Sequence, residues 1–314
     1  MTQNTSTPTK RVFVTGATTL VGREVVRHLS AAGNKVTGTA GTQPDAAAIR
    51  ADGGIPTYPG LFRAGELRTA MTTLGRENLA VVNLAAQTAN GLPFSPVDWA
   101  QTAALLVEGT AALLEAAKAA GATYFLHGSF AFADVHSEDE AIQPALDAIV
   151  EAEDLVIHSG LPYSILRFGY IYGDTPDLQA LGSALRSNRR VYTSESGASA
   201  GWVHAADAAA AVTAALNSQP SGSLLNVVDD HAASPAAFLA YFAQSQGLNA
   251  PSASPLTTPL ARMALGPVQY GLLNAHSHPG NGDTKTLLGW QPRFSTFKQG
   301  LEDVLLSWRA AMKV

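Results

Sequence analysis

A turn of glycine and threonine near the amino terminus is the part of this chain whose residue types and spacing most directly suggest chemistry. An apolar strand from Arg11 runs into Gly16-Ala-Thr-Thr-Leu-Val-Gly22 and then into a helical pattern. The first glycine permits a sharp turn, the last lets the helix pack on the strand, and free N–H groups at the helix start face a phosphate. We therefore expect a dinucleotide pyrophosphate to bind at Gly16, Thr18, Thr19, Leu20, Val21 and Gly22.

Thr19 is the unusual residue of this turn. It stands where a middle glycine lets the pyrophosphate approach the backbone, so its Cβ narrows that approach. Its hydroxyl can instead donate a hydrogen bond to a phosphate. A turn that binds no ligand is the alternative interpretation.

The residues after the second predicted strand bear on the choice of nicotinamide cofactor. An NAD site usually places a carboxylate there for the ribose, whereas an NADP site prefers a base. Here the strand runs into Ala40-Gly41-Thr42 with no acid directly following, and the nearest base is Arg50. The pattern predicts NAD(P) binding and leans to NADP(H), although Arg50 fits a solvated helix position equally well.

Strand and helix patterns alternate through the first half of the chain. The predicted strands are Arg11–Thr15, Lys35–Thr39, Ile55–Tyr58, Leu79–Leu84, Thr123–His127 and Tyr163–Arg167; the predicted helices are Leu20–Ala32, Gly65–Leu74, Trp99–Ala120 and Glu138–Ser159. Such alternation indicates parallel pairing with right-handed crossovers and both faces covered. The expected fold class is an α/β, Rossmann-like doubly wound parallel sheet with a smaller C-terminal substrate lobe.

The second half is more broken. It has one predicted strand, Leu224–Val228, and predicted helices at Asp177–Asn188, Val203–Asn217, Pro235–Gln246, Leu260–Leu273 and Thr296–Met312. We expect residues 10–174 and 200–230 to form the dinucleotide-binding core, and residues 175–199 and 231–295 to form the substrate-binding lobe. Residues 296–314 are expected to close the chain as a helix, and residues 1–9 to form a flexible tail.

Several segments, in the same order along the chain, resemble the extended branch of the short-chain dehydrogenase/reductase superfamily, the epimerase/dehydratase group. They are Gly16–Gly22, Asn83-Leu-Ala-Ala86, Gly109–Ala117, Leu161–Gly173, Gly201–Asp207 and Leu288-Gly-Trp-Gln-Pro292. The resemblance implies a Rossmann-like core and a bound nicotinamide dinucleotide. It also places Ala85, Ala86 and Gln87 beside the cofactor, and Phe168 and Gly169 at the nicotinamide.

The departures from this family concern its acid–base residues, a Ser and a Tyr-x-x-x-Lys segment, in which Lys lowers the pKa of Tyr. No Tyr and no Lys occurs between Phe130 and Pro162, and the resemblance places the two positions at Ala145 and Ile149. Ser129 matches the family's catalytic Ser or its neighbour; in the second case Phe130 fills the catalytic position. Gly60-Leu61, Leu106 and Thr19 also replace residues that are usual in the family.

A ketone reductase without this pair needs another proton source, which can be water, a substrate hydroxyl or another side chain. Ser129 is the best candidate by position. Tyr170 is the second, because it lies on the loop that lines the nicotinamide in relatives. Tyr172 lies on the same loop, but with Gly173 it is more typical of a structural corner.

Composition excludes several classes of site. The chain has 314 residues, a net charge of −5 and no cysteine, so we expect no nucleic-acid surface and no thiolate chemistry. No apolar run is long enough to cross a bilayer, and we expect a cytoplasmic protein that binds no membrane. His276, His278 and Asp283 fit no usual metal-ligand spacing, so no metal is expected.

Three functions are compatible with these residues. The first is an atypical NAD(P)H-dependent reductase of a ketone or enone on a hydrophobic small molecule, since the smaller lobe is poor in the Arg and Lys that a sugar nucleotide would need. The second is a non-catalytic NAD(P)-binding sensor or assembly protein, and the third is an epimerase or dehydratase with non-standard residues. The Ala-rich helices Trp99–Ala120 and Glu138–Ser159 permit a homodimer without requiring one.

Overall fold

The computed structural model describes residues 10–73, 75, 77–135, 139–187, 191, 198–249, 258–277 and 279–311. The strands are β1 Arg11–Thr15, β2 Lys35–Thr39, β3 Ile55–Thr57, β4 Leu79–Asn83, β5 Tyr124–Phe130, β6 Tyr163–Phe168, β7 Tyr170–Tyr172, β8 Trp202–His204 and β9 Ser223–Val227. The helices are α1 Leu20–Ala31, α2 Gln43–Ala51, α3 Ala64–Thr72, α4 Trp99–Ala104, α5 Thr110–Ala120, α6 Gln143–Ile157, α7 Pro176–Arg186, α8 Ala205–Ser218, α9 Pro235–Gln244, α10 Thr258–Leu265, α11 Pro267–Asn274, α12 Gly282–Leu288 and α13 Phe297–Ala311. The expected tail, residues 1–9, lies outside the described residues.

Seven of these strands form one parallel sheet, in the order β3-β2-β1-β4-β5-β6-β9. Helices cover both faces, which is why β4 and β5 are buried along their whole length. The strand order reverses between β1 and β4, and the carboxyl ends there open the crevice in which such sheets bind ligands. The predicted doubly wound α/β fold is confirmed.

The lobe differs in detail from the prediction. The single helix expected at Leu260–Leu273 is wrong: Gly266, at φ +82°, and Pro267 divide it into α10 and α11. Helix α12 of the lobe was not predicted, nor was the parallel pair β7–β8, whose residues lie in the expected core, because three-residue strands and a seven-residue helix carry little periodicity.

Core and lobe share a hydrophobic cluster. Phe130 of β5, Leu178 of α7, Phe238 of α9 and Phe297 of α13 belong to one buried group of side chains. The division into core and lobe therefore stays a prediction about function, since the packing runs through the boundary. None of the described helices is long and apolar enough to cross a membrane.

Candidate cofactor and active site

The turn between β1 and α1 depends on its two glycines. Gly16 has φ +68°, and a Cβ on it would lie 2.2 Å from the carbonyl oxygen of Leu84. A Cβ on Gly22 would lie 2.0 Å from the carbonyl oxygen of Gly16. Both positions therefore exclude any larger residue, as close packing of strand, turn and helix requires.

Thr19 has a structural role that the sequence did not reveal. Its hydroxyl donates to the carbonyl of Gly16 at 2.8 Å and accepts from the N–H of Gly22 at 3.0 Å. Thr19 is thus the N-cap of α1. Because its proton is already used, we no longer expect this hydroxyl to donate to a phosphate.

A cavity of about 530 Å³ lies over the turn, at the carboxyl edge of the sheet. Its walls come from the turn, from the residues after β2, from the segment after β3, from the segment after β4 and from α4: Gly16, Thr18, Thr19, Thr39, Ala40, Gly41, Asp45, Pro59, Leu61, Ala85, Thr88, Gln101, Thr102 and Leu105. A smaller cavity of about 200 Å³ adjoins it through Thr19 and Thr88. The two cavities lie side by side at the switch point of the sheet, where such folds bind a dinucleotide.

The predicted cofactor residues fall into two groups. Gly16, Thr18, Thr19 and Ala85 line the larger cavity, and Thr19, Leu20 and Gln87 line the smaller one. Val21, Gly22, Ala86, Phe168 and Gly169 line neither; they are buried behind the walls. For this second group, a direct contact with cofactor stays a prediction.

Asp45 is the charged side chain among the described residues that line the larger cavity. One of its carboxylate oxygens accepts from the N–H groups of Gly41 and Thr42 at 3.1 and 2.9 Å, which completes a capping box at α2. Sequence reasoning looked for an acid directly after β2 and missed Asp45, because the helix turn brings it back to the strand end.

Two buried side-chain amides, those of Gln87 and Asn90, line the smaller cavity and are joined by a hydrogen bond. Gln87 donates to the carbonyl of Ser129 at 3.2 Å, and Asn90 donates to Gln87 at 3.0 Å and to the carbonyl of Phe168 at 3.1 Å. The Asn90 side chain is fully buried, and its Oδ1 has no hydrogen-bond partner among the described residues. Asn90 is a site residue that the sequence analysis missed, and only its place three residues after Gln87 could have indicated it.

Ser129, the first candidate proton donor, is engaged elsewhere. Its hydroxyl donates to Glu153 Oε1 at 2.5 Å, and the side chain is fully buried. Glu153 in turn binds Arg167 through two hydrogen bonds, of 2.8 and 2.6 Å. Ser129 is thereby part of a buried ion-pair network beneath the sheet edge, and its role as a catalytic acid stays a prediction that this geometry disfavours.

The positions that the family resemblance assigns to Tyr and Lys are apolar and buried. Ala145 and Ile149 lie on α6 and belong, with Phe130, to one hydrophobic cluster. Phe130 also packs against Trp99, with ring centroids 6.0 Å apart. Both positions therefore have hydrocarbon side chains instead of the Tyr and Lys that the resemblance would place there.

Tyr170, the second candidate, is also a poor acid in this structure. Its ring packs between Phe132 and Trp202, at centroid distances of 6.2 and 5.4 Å. Burial raises the pKa of its phenol, and no cation opposes that effect. Tyr172 has a raised pKa as well, from burial first and then from the charges of Asp229 and Asp207.

His127 is the buried histidine on β5. Its Nδ1 lies 3.2 Å from the amide nitrogen of Asn83, which also donates to Thr110 at 3.0 Å. Burial lowers the pKa of His127 to about 4, so the ring is neutral at neutral pH. It therefore cannot serve as a proton donor there.

Metal binding has no support in the described part of the chain, where no group of three or more His, Asp or Glu side chains could hold an ion. His276 accepts hydrogen bonds from the backbone and hydroxyl of Ser199 at its Nδ1. His278 lies outside the described residues.

Similarity to known proteins agrees with this geometry. A family model described as NAD(P)H-binding matches residues 16–219. A curated relative from a Streptomyces species, a 3-diazoavenalumate denitrifying reductase, is 33% identical over 310 residues, which cover 93% of this chain and 99% of the relative.

Solved structures of the epimerase/dehydratase group share the fold. The UDP-glucose 4-epimerase of Thermotoga maritima is 17% identical, with a TM-score of 0.71 over 96% of this chain and 99% of the epimerase. WbmG of Bordetella bronchiseptica, in complex with NAD and UDP, is 18% identical, with a TM-score of 0.73 over 96% of both chains.

Proposed function

This chain belongs to the NAD(P)H-binding family, and from that premise we propose that it is a reductase whose hydride transfer needs no proton from the protein. Two features together carry the proposal: a dinucleotide turn that tolerates no side chain at Gly16, and the apolar residues Ala145 and Ile149 at the positions that the resemblance assigns to Tyr and Lys. When bound, the reduced cofactor supplies a hydride. The protein holds the two reactants together and excludes water.

Apolar residues at the positions that the resemblance assigns to Tyr and Lys narrow the acceptors that suit this site. A ketone or an enone becomes an alkoxide or enolate after hydride uptake and must then be protonated. A diazonium carbon needs no proton: the hydride electron pair forms the new C–H bond, and the C–N pair leaves with N₂. The positive charge passes to the oxidised cofactor, so atoms and charge balance without a proton.

The curated relative supports this choice, because its name describes a reductase that acts on a diazo compound with loss of nitrogen. We therefore propose an aromatic diazo compound as the hydride acceptor of this chain, ahead of the ketone or enone expected from the sequence. Apolar residues at the acid position are compatible with this reaction, whereas they would slow a ketone reduction.

The cofactor cavity favours NAD(H). Sequence reasoning leaned to NADP(H), but among the described residues that line the cavity the charged one is Asp45, beside the end of β2. A carboxylate there repels a 2′-phosphate and can accept from a ribose hydroxyl. We propose NAD(H) as the preferred form, with Asp45 as its determinant.

We also propose a homodimer through α5 and α6. Val150 and Ile157 are exposed on α6, at 42% and 39%. A shallow depression of about 620 Å³ runs between the two helices, lined by residues such as Leu114 and Leu155. Light scattering tests this, because Val150→Glu with Ile157→Glu should convert a dimer to a monomer; a wild-type monomer would contradict it.

The reductase is tested by incubating the protein and reduced cofactor with a panel of arenediazonium salts, ketones and enones. Loss of the reduced-nicotinamide absorbance and release of N₂ should accompany diazonium turnover, at a rate well above the reaction without protein. Gly16→Ala is the matched control for cofactor-dependent catalysis. Tight cofactor binding with no turnover of any acceptor would contradict the proposal and favour the non-catalytic sensor.

A further inference from the structure

A third cavity, of about 320 Å³, lies on the side of the smaller lobe. It lies between α7, α10 and the loop before α4. It shares Leu92 and Asp177 with the 200 Å³ cavity described above, which in turn shares Thr19 and Thr88 with the 530 Å³ cofactor cavity. The three cavities therefore lie side by side along the carboxyl edge of the sheet, and Asp177 lines both the second and the third, at their junction.

Most of the side chains that line this third cavity are apolar. Leu92, Phe94, Leu181 and Leu265 are among the side chains that line it, and the polar ones among the described residues are Ser95 and Asp177. Its volume is at the low end of about 300 to 1,000 Å³ that is typical of small-molecule sites. A single aromatic ring with a short apolar substituent fits that space and that lining.

Asp177 places a negative charge at the junction that pairs with no side chain among the described residues. It lies in the first turn of α7, it is exposed, and within the described ranges its carboxylate makes no hydrogen bond or ion pair. Thr175 already caps the N–H of Leu178, so the carboxylate is not required for that purpose. The second unpartnered polar group at this place is Oδ1 of the fully buried Asn90, which lines the cavity next to Asp177.

Both unpartnered groups are hydrogen-bond acceptors, and neither is a donor. Among the residues that the structure describes, no Lys, Arg or His lines any of the three cavities. An anionic head group at the junction would meet a like charge without a counterion. A cationic head group would meet the carboxylate of Asp177.

We propose that the third cavity is the acceptor site and that Asp177 selects an aromatic ligand whose positive charge lies at the junction, next to the nicotinamide end. This inference rests on the proposed function for the identity of the cation, an arenediazonium head. The ring occupies the space lined by Phe94 and Leu181, and the charged carbon faces the 200 Å³ cavity. Asp177 thereby acts as a specificity residue.

Charge selection can be measured without turnover. Phenyltrimethylammonium and tert-butylbenzene have nearly the same shape and differ by one positive charge, and neither accepts a hydride. Calorimetry on the cofactor-loaded protein should show tighter binding of the cation. Asp177→Asn should weaken the cation about 5- to 10-fold, the loss expected for one partly screened charge pair, and leave the neutral probe within about 2-fold.

Asp283→Asn is the matched control. Asp283 is also exposed and lies in the first turn of its helix, α12, but it lines none of the three cavities. It should leave both probes unchanged, which separates local charge from net charge. Equal losses of both probes in Asp177→Asn, or no loss of the cation, would overturn the proposal.

The same variants separate this inference from the proposed function. Charge-selective binding that depends on Asp177, together with no diazonium turnover, would keep the acceptor site and reject the reductase. Diazonium turnover in which kcat/KM is the same for wild type and Asp177→Asn would reject the role of Asp177 and keep the reductase. Cofactor affinity, measured in parallel, should be unchanged in both variants.

Discussion

Two regions at the carboxyl edge of one sheet differ in what they keep of a nicotinamide enzyme. The turn after β1 has glycines that no other residue can replace, and it opens on a cavity shaped for a dinucleotide. In the region where β5 faces α6, Phe130 belongs to one hydrophobic cluster with Ala145 and Ile149, the two positions that the family resemblance assigns to Tyr and Lys. Cofactor binding and proton donation therefore depend on different parts of this fold, and one can be kept without the other.

We expect the largest effect from a substitution that disrupts the turn between β1 and α1. Gly16→Ala combines an unfavourable φ of +68° with a Cβ placed 2.2 Å from the Leu84 carbonyl oxygen. The turn must shift, and we expect reduced-cofactor affinity to fall more than about 100-fold in a fluorescence titration. Gly33→Ala is the control: it has a φ of +83° and open space around its Cβ, so it should cost stability without changing affinity. Affinity in Gly16→Ala within about 3-fold of wild type would contradict the pyrophosphate turn.

The next prediction concerns His127, a buried and uncharged side chain on β5. The pKa of His127 is lowered to about 4 by burial, from an ordinary value of about 6.5. The unfolded chain therefore binds the proton first as the pH falls. Stability that is present above about pH 6.5 is lost progressively toward about pH 4, by roughly 2 kcal/mol between about pH 7 and about pH 5.

His127→Gln should flatten this part of the pH dependence, measured by denaturant unfolding at each pH. The pKa of His204 is also lowered to about 4, by burial first, but His204 is retained in both proteins. The difference between wild type and variant therefore reports His127 alone. Parallel pH curves for the two proteins would show that His127 is not held neutral in the folded state.

Asp45→Asn tests which form of the nicotinamide cofactor the larger cavity prefers. Removing the charge while keeping an acceptor for Gly41 and Thr42 should raise NADPH affinity relative to NADH by about 10-fold. Glu66→Gln is the control, because Glu66 also caps a backbone N–H, that of Gly60, but does not line the cavity. A wild-type protein that already prefers NADPH, or a variant with an unchanged ratio, would reject Asp45 as the determinant.

The smallest effect on turnover is expected for Ser129→Ala, which tests whether Ser129 acts as an acid. Ser129→Ala removes the hydrogen bond to Glu153 and should lower the free energy of unfolding by about 1 to 3 kcal/mol. Diazonium turnover should stay within about 2-fold, because the hydroxyl serves the Glu153–Arg167 pair. A fall of 100-fold or more in kcat, with cofactor affinity intact, would restore Ser129 as a catalytic residue.

Sequence patterns predicted the sheet and the cofactor turn because both rest on local signals. Buried parallel strands are short apolar runs, and a sharp βα turn needs glycine at fixed spacing. The site details depend on contacts between distant residues instead. The sequence allows the hydroxyl of Thr19 to donate to a phosphate, whereas in the fold it caps α1, and Asp45 reaches the cleft only because of the capping turn of α2.

Ser129 shows the same limit most clearly. The family resemblance suggests catalysis for Ser129, but its hydroxyl donates a hydrogen bond to Glu153, on a helix 24 residues further along the chain. Asp177 was equally invisible, since an acid in the first turn of a helix is common for electrostatic reasons. Only the cavities that meet at its side chain distinguish it from the other acids at helix starts.

We propose that hydride transfer at this site proceeds without a proton donated by the protein. The most direct measurement is the pH dependence and solvent isotope effect of single-turnover diazonium reduction, with cofactor deuterated at the transferred position. We expect a rate that is level from about pH 6 to about pH 8 and the same in H₂O and D₂O, and a product that carries the cofactor's deuterium. A rate that falls as one group deprotonates, with a solvent isotope effect of about 2 or more, would contradict it.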